Sequence, residues 1–402
     1  VPDERAQESD TWKTEGAVRG YLYSCYGYLP ANRTFGNSYW LAEELTAVTK
    51  ELFTTFKYGY YSPVSLGFTS NTWSTIWNGI HQCYMFQESL KQVSNEYVTD
   101  EMKKQYLAES NFLIAYYHFL SMRSYGPTMI IRSVIDLETP ISGFPERSSI
   151  DEVVAFINEK LDEAMSEGGL PTTWSGKDYG RATRLAALAL KSRVYLYAAS
   201  PLYNGNTEMY ADFRSPLDGR QLIAQEKSQA KWEISATQTK YAIDEVEKAK
   251  FHLYHDADAG EPSDAKPGLP NKAQRRLRYT NIDNQTGNNP EIIWADTRND
   301  DYYGIQRRCP PRQTLGGKFA GISMTNCPTL QTIEAFYTKN GLPINKDKTF
   351  DYDERYEYIS APENCDGNNY EDLVKYANFT PSSDKVMRLC TDREPRFYAW
   401  TT

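Results

Sequence analysis

No Cys-x-x-Cys pair occurs in the 402-residue sequence: Cys25, Cys83, Cys309, Cys327, Cys365 and Cys390 stand at least 18 residues apart. That spacing argues against a zinc ribbon or a thioredoxin-type motif. No apolar run reaches the roughly 18 residues of a membrane-crossing helix. Strongly basic runs are missing too, and 44 Lys and Arg against 53 Asp and Glu leave a net charge of −9. Nucleic-acid binding, which rests on neutralising phosphates, is disfavoured.

Histidine is scarce, at four residues: His81, His118, His252 and His255. His252 and His255 are three apart but lack a Cys or Glu to complete a metal set, so satisfied surface histidines are the ordinary reading. His81 and His118 fall inside helical patterns. Gly-x-Ser-x-Gly, His-Glu-x-x-His and the phosphate-binding Gly-x4-Gly-Lys-Ser/Thr are all absent. The easiest hydrolase, metalloprotease and nucleotide readings go with them, and nothing calls for a metal or other cofactor. "NKDKTFDYDER" gathers Asp347, Asp351 and Asp353 without the spacing or glycine of a calcium loop, and reads as a solvated acidic turn.

What the chain has in excess is aromatic rings, 14 % of residues, with 31 Tyr, 16 Phe and 8 Trp. Tyr and Trp join a broad apolar face to a polar tip, which suits half-wet platforms for sugars or peptides. A Tyr-rich core is the competing explanation, and composition leaves both open.

Periodicity predicts helices over 9–29, 72–95, 99–125, 149–167, 181–200 and 228–248. Asp10 or Thr11 is expected to cap the first, Thr99 or Asp100 the third, and Ser149 with Glu152 forms a capping-box pattern for the fourth. A shorter helix is expected over 328–340, with Pro328 near its first turn and Gly341 just beyond its end. "PEIIWAD" is the one convincing strand. Consecutive helices of about 20 residues suit an α-solenoid, in which each pair buries its apolar face on the next. The expected fold is therefore mainly α, a tetratricopeptide-like superhelical scaffold in one domain over 1–402. Long irregular insertions at 31–71 and 249–327 project from it.

"RATRLAALALKSRVYLYAASPLYNG" at 181–205 supplies small residues for close helix approach and a Tyr-rich end. It resembles the signature helix of the SusD/RagB family of outer-membrane glycan-binding lipoproteins of Bacteroidetes. "TWSTIWNGIHQCYMF" is similar to that family's Trp-led helix, with Tyr84 where Asn is commoner. "AESNFLIAYYHFLSMRSYGP", "NCPTLQTIEAFYTKNGLPI" and "DREPRFYA" match further segments in order, and "VPDE" with "YLYSCYGYLP" fits the family's start. The start at Val1 without a Met suggests a removed leader, and the resemblance implies a lipid-bearing Cys upstream of Val1 and a C-terminal part beyond "RFYA". It further implies a cell-surface location on the outer membrane, a glycan ligand and a SusC-like TonB-dependent transporter as partner.

Binding without chemistry needs aromatic faces for sugar rings and polar groups for their hydroxyls. Residues 51–73, "ELFTTFKYGYYSPVSLGFTSNTW", and 294–308, "WADTRNDDYYGIQRR", hold that mixture. The resemblance places the ligand arc in the same two loops, the second following the "EIIW" strand. Candidate contacts are Lys57, Tyr58, Phe68, Asn71, Trp73, Tyr279, Asp300, Tyr302, Tyr303 and Arg307, with Trp73 the one that more readily caps its helix into the core. Glycan capture with no bond broken is the expected function. A peptide-binding RagB-like protein and a glycoside hydrolase on an α-solenoid body are the alternatives. A hydrolase would need paired carboxylates that spacing alone cannot single out.

Overall fold

The computed structural model describes residues 12–30, 44–47, 67–136, 138–255, 258, 276–277, 280, 289–298, 326–360 and 385–400. By its internal contacts the chain divides into two compact units. One comprises residues 1–29, 67–252 and 292–297, the other residues 30–66, 253–291 and 298–402.

The first unit is a helical stack. Its long members are α1 (Glu15–Tyr26), α2 (Gly67–Leu90), α3 (Asp100–Tyr125), α4 (Ile150–Ala164) and α5 (Arg184–Ala199). A single turn, α6 (Thr207–Tyr210), precedes α7 (Gln229–Lys248). Each long helix packs on its neighbour in sequence, α1 on α2, α2 on α3, α3 on α4, α4 on α5 and α5 on α7. That order is the mainly α arrangement that the periodicity predicts.

Start signals were legible where a hydroxyl precedes the apolar stripe. Thr99 Oγ1 accepts from Met102 N, Thr183 Oγ1 from Ala186 N, and Ser149 forms the full capping box with Glu152. Each such cap is worth about 1 kcal/mol. The first helix differs from expectation: its cap is Thr14, which accepts from Ala17 N at 3.2 Å, so the regular turns begin at Glu15.

Helix α3 is the centre of the stack. From Ala108 to Met122 only Tyr116 is not buried, because α2 and α4 cover opposite sides. Leu113, Ile114, Phe119 and Leu120 supply the apolar burial. Polar groups on this helix must then find partners inside the protein. His118 does so through backbone alone: Nδ1 lies 2.8 Å from the Ile114 carbonyl, and Ile131 N–H donates to Nε2. It is a satisfied histidine, but a core one and not the surface one that the sequence suggests. Burial lowers its pKa to about 4. Just beyond α3, β2 (Thr128–Met129) pairs antiparallel with β3 (Arg147–Ser148), a ribbon that the sequence did not announce.

Glu109, on α3, is fully buried and faces Arg181, three residues ahead of α5. Arg181 Nη2 and Nε donate to the two carboxylate oxygens, and Nη1 reaches Asp178 at 2.8 Å. Tyr26 OH, at the end of α1, donates to Glu109 Oε2 at 2.6 Å and accepts from Ala182 N. The guanidinium lies 4.0 Å from the centre of the Trp174 ring, whose Nε1 donates to the Ala182 carbonyl. Burial pushes the Glu109 pKa upward, against the hydrogen bonds from Arg181 and Tyr26. Burial also opposes the Arg181 charge, but its bonds to Glu109 outweigh that and hold it above the ordinary arginine value.

The second unit contains β1 (Leu45–Ala47), β4 (Asn326–Pro328), β5 (Tyr358–Ser360) and β6 (Lys385–Met387). β1 pairs with β4 and β5 with β6, both antiparallel. Its described helices are the short α8 (Leu330–Ala335) and α9 (Pro395–Trp400).

Three expectations fail here, each for a physical reason. The helix predicted over 328–340 is only Leu330–Ala335, because Pro328 belongs to β4 and Phe336 is extended at ψ 149°. Arg393 is 3 % exposed and donates to the carbonyls of Ile333, Phe336 and Tyr337, satisfying that early helix end. Gly341, at φ 73°, turns the chain beyond it.

The acidic turn is not solvated at Asp347, which is buried and accepts from Thr338 Oγ1, Thr349 N, Thr349 Oγ1 and Asn340 Nδ2. Those donors, Thr338 first, hold its carboxyl well below the usual range. "PEIIWAD" is not a strand: residues 290–296 run as turn and irregular chain, with Trp294 seated on α3 instead of the backbone on a sheet.

Truncating Arg181 to Ala leaves Glu109 buried and unpaired, and lowers the unfolding free energy in urea by about 3–5 kcal/mol. A loss under 1 kcal/mol would show the pair to be dispensable. His118 takes up a proton readily only when unfolded, so between pH 6.5 and pH 4 the unfolded state binds more protons and stability drops as the pH is lowered. The loss reaches about 3 kcal/mol. Replacing His118 with Gln removes that part of the slope, as denaturation at stepped pH will show.

Candidate functional site

The two stretches with sugar-compatible side chains are each moored to the helical stack by a tryptophan at one end. The first runs into α2, where Phe68 and Asn71 lie in the opening turns. Trp73 follows and is half-buried. Its ring meets Tyr125 edge-on at 4.9 Å and 85°, and Trp77 at 5.3 Å and 63°. Trp77 in turn meets His118 at 6.1 Å and 87°. Edge-to-face pairs add about 0.5–1.5 kcal/mol each beyond burial. Trp73 therefore closes a row of rings that begins inside α3.

The second stretch begins at its anchor. Trp294 Nε1 donates to the Gly180 carbonyl at 2.8 Å, and its ring stands edge-on to Phe112 at 5.1 Å and Tyr116 at 5.5 Å. Gly180 has φ 98°, and a Cβ there would come within 2.9 Å of the Thr297 side chain. Both conformation and space demand glycine at this point. Asp296 and Thr297, just past the anchor, are exposed.

Tyr116 and Tyr125 are nine residues apart on α3. That is about 14 Å along the axis and two and a half turns, so the moorings sit on opposite faces of one helix. Lys57, Tyr58, Tyr279, Asp300, Tyr302, Tyr303 and Arg307 lie outside the described residues.

The chemistry of the described residues is that of a scaffold. Glu109 and Asp347, the buried acids, are held by Arg181 and by hydroxyl, amide and backbone donors. His118 is neutral at pH 7 and bonded to backbone. His252 and His255 are exposed. Among the described residues, no three of His, Cys, Asp or Glu are placed to hold a metal ion. Sequence reading passed over Glu109, Arg181 and Trp294 as individual residues. The available signal was a charge in an otherwise apolar stripe, which demands an opposite charge elsewhere in the core.

Residues 41–196 match the SusD-like family described as starch-binding and associating with the outer membrane. The protein BT4246 is 29 % identical with a TM-score of 0.77, the match covering 96 % of this chain and 64 % of that one. The SusD-like protein BF3747 from Bacteroides fragilis is 20 % identical (TM-score 0.66), with 99 % of this chain and 62 % of that chain covered. A SusD superfamily protein from Parabacteroides distasonis is 16 % identical (TM-score 0.56), covering 98 % and 70 %. The last two speak for the fold alone. No curated protein matches. The chain spans less than two thirds of the length of BT4246 and BF3747. Among the described residues, no helix is long and apolar enough to cross a membrane.

Replacing Trp294 with Ala removes three contacts at once, to Phe112, Tyr116 and the Gly180 carbonyl. The expected cost is about 3 kcal/mol in chemical denaturation, with faster proteolytic cleavage after residue 294 than in Trp73→Phe. Equal stability and equal cleavage would show that the anchor does not hold the loop.

Proposed function

We propose that this chain, which belongs to the SusD-like family, captures an oligosaccharide at the cell surface without cleaving it and passes it to a SusC-like TonB-dependent transporter. The observation that carries the proposal is the mooring of both aromatic-rich loops on one rigid helix of a SusD-like stack. Family members are binding proteins rather than enzymes, which agrees with a described core whose acids and histidine are committed to structure.

In this reading Tyr58, Phe68, Trp73, Tyr302 and Tyr303 offer ring faces to the C–H faces of sugars, with Tyr279 at the edge of the same layer. Lys57, Asn71, Asp300 and Arg307 bond the hydroxyls. Such a platform loses little conformational freedom on binding, because each ring carries few rotatable bonds. Few polar groups are fully desolvated, so affinity is modest and on–off exchange is fast enough for hand-over. An outer-membrane address, through a lipid on a Cys upstream of Val1, keeps the ligand beside the transporter.

The test is an array of starch, β-glucan, xylan and mannan oligosaccharides, run beside a peptide library. The expected result is binding to one glycan class, no peptide binding, and unchanged glycan length after prolonged incubation. Replacing Tyr302 and Tyr303 together by Ala should weaken that binding at least tenfold and leave the melting temperature unmoved. Peptide binding alone, or shortened glycans, would overturn the proposal.

A further inference from the structure

Helices α1 and α2 meet where Ser24 faces Gln82 and where Tyr28, just past α1, lies against Gly79. Gly79 makes this possible: a Cβ there would lie 2.8 Å from the Tyr117 ring and 3.0 Å from Tyr28 Cβ. Ser24 Oγ accepts from Gln82 Nε2 at 2.9 Å across the same seam. The next residue on each helix is a cysteine, Cys25 and Cys83, and both are wholly buried free thiols. Both belong to one buried core cluster, one on each side of the Ser24–Gln82 bond. Helix α3 fixes the backbone of both, since Tyr117 OH donates to the Cys25 carbonyl at 2.6 Å and Ser110 Oγ to the Cys83 carbonyl at 3.2 Å.

We propose that Cys25 and Cys83 are a cross-linking site, joined as a disulfide when the protein folds in an oxidising compartment. The bond would tie together the two ends of the 26–82 segment, which contains the whole 31–71 insertion. One end of that loop is α1 and the other runs into α2, so the cross-link would make its base a fixed frame.

The chemistry is thiol–disulfide exchange with a small disulfide such as oxidised glutathione. One cysteine thiolate attacks the small disulfide, forming a mixed disulfide and releasing one glutathione thiol. The second cysteine thiolate then displaces the other glutathione, so two protein thiols lose two protons and two electrons, and one glutathione disulfide gains them. Burial raises the Cys83 thiol well above its ordinary pKa. Its thiolate is therefore scarce once the helices have docked, and the exchange belongs to folding, before the seam closes. The pair is distinct from Cys327 and Cys390, which are half-buried.

The experiment is to reduce and unfold the chain in guanidinium, refold it in a reduced and oxidised glutathione buffer, and alkylate it under denaturing conditions for peptide mass analysis. The expected result is a peptide pair linked through Cys25 and Cys83. The melting temperature should stand several degrees above that of the same protein refolded in reductant, a difference abolished in Cys83→Ala. Full alkylation of both cysteines in protein whose circular dichroism is native would overturn the proposal. So would a linkage of either one to a different cysteine or to glutathione.

Discussion

One buried cation sets the frame of the helical unit. Arg181 sits with its guanidinium against the Trp174 ring and its donors on Glu109, in a place where neither charge could stand alone. Its chain neighbours extend the junction. The Gly180 carbonyl receives Trp294, while the Ala182 amide and carbonyl receive Tyr26 and Trp174. Three consecutive residues thus bind the end of α1, the middle of α3, the start of the α5 segment and the mooring of a distant loop. A hydrophobic replacement could match such a pair in free energy. It would not reproduce the directions, and directions decide where Trp294 is held.

A scaffold of this kind explains how poorly patterned loops can serve recognition. Loops that bind ligands need a rigid base, since every degree of freedom left to be frozen weakens binding. Here the base is α3, buried along its central turns and presenting Phe112 and Tyr116 to one anchor and Tyr125 to the other. The two anchors, Trp73 and Trp294, pack on opposite sides of α3.

How much of this was legible in the sequence varied with the source of each element's stability. Helices α3 and α4 read well, because hydroxyl caps and apolar spacing are local signals and the structure keeps them. The strand at "PEIIWAD" did not survive, since an apolar run is equally served by burying one Trp on a helix. Helix α8 stopped short because Arg393, some 60 residues later, supplies its C-terminal bonds, and no local pattern announces a partner at that distance. Asp347 differs for another reason: its donors, Thr338, Asn340 and Thr349, are within nine residues, but only the fold-back of that short stretch turns them onto the carboxylate. The loops proposed to bind ligand have no period at all, so composition could name their chemistry and family resemblance their place, but neither could give positions for individual rings.

The central claim is that the helices hold and the loops bind. Hydrogen exchange with and without the glycan identified on the array tests it directly. The account predicts new protection at 51–73 and 294–308, while the amides of α3 and α5 exchange at unchanged rates. Protection concentrated in α3 or α5, with both loops unaffected, would contradict it.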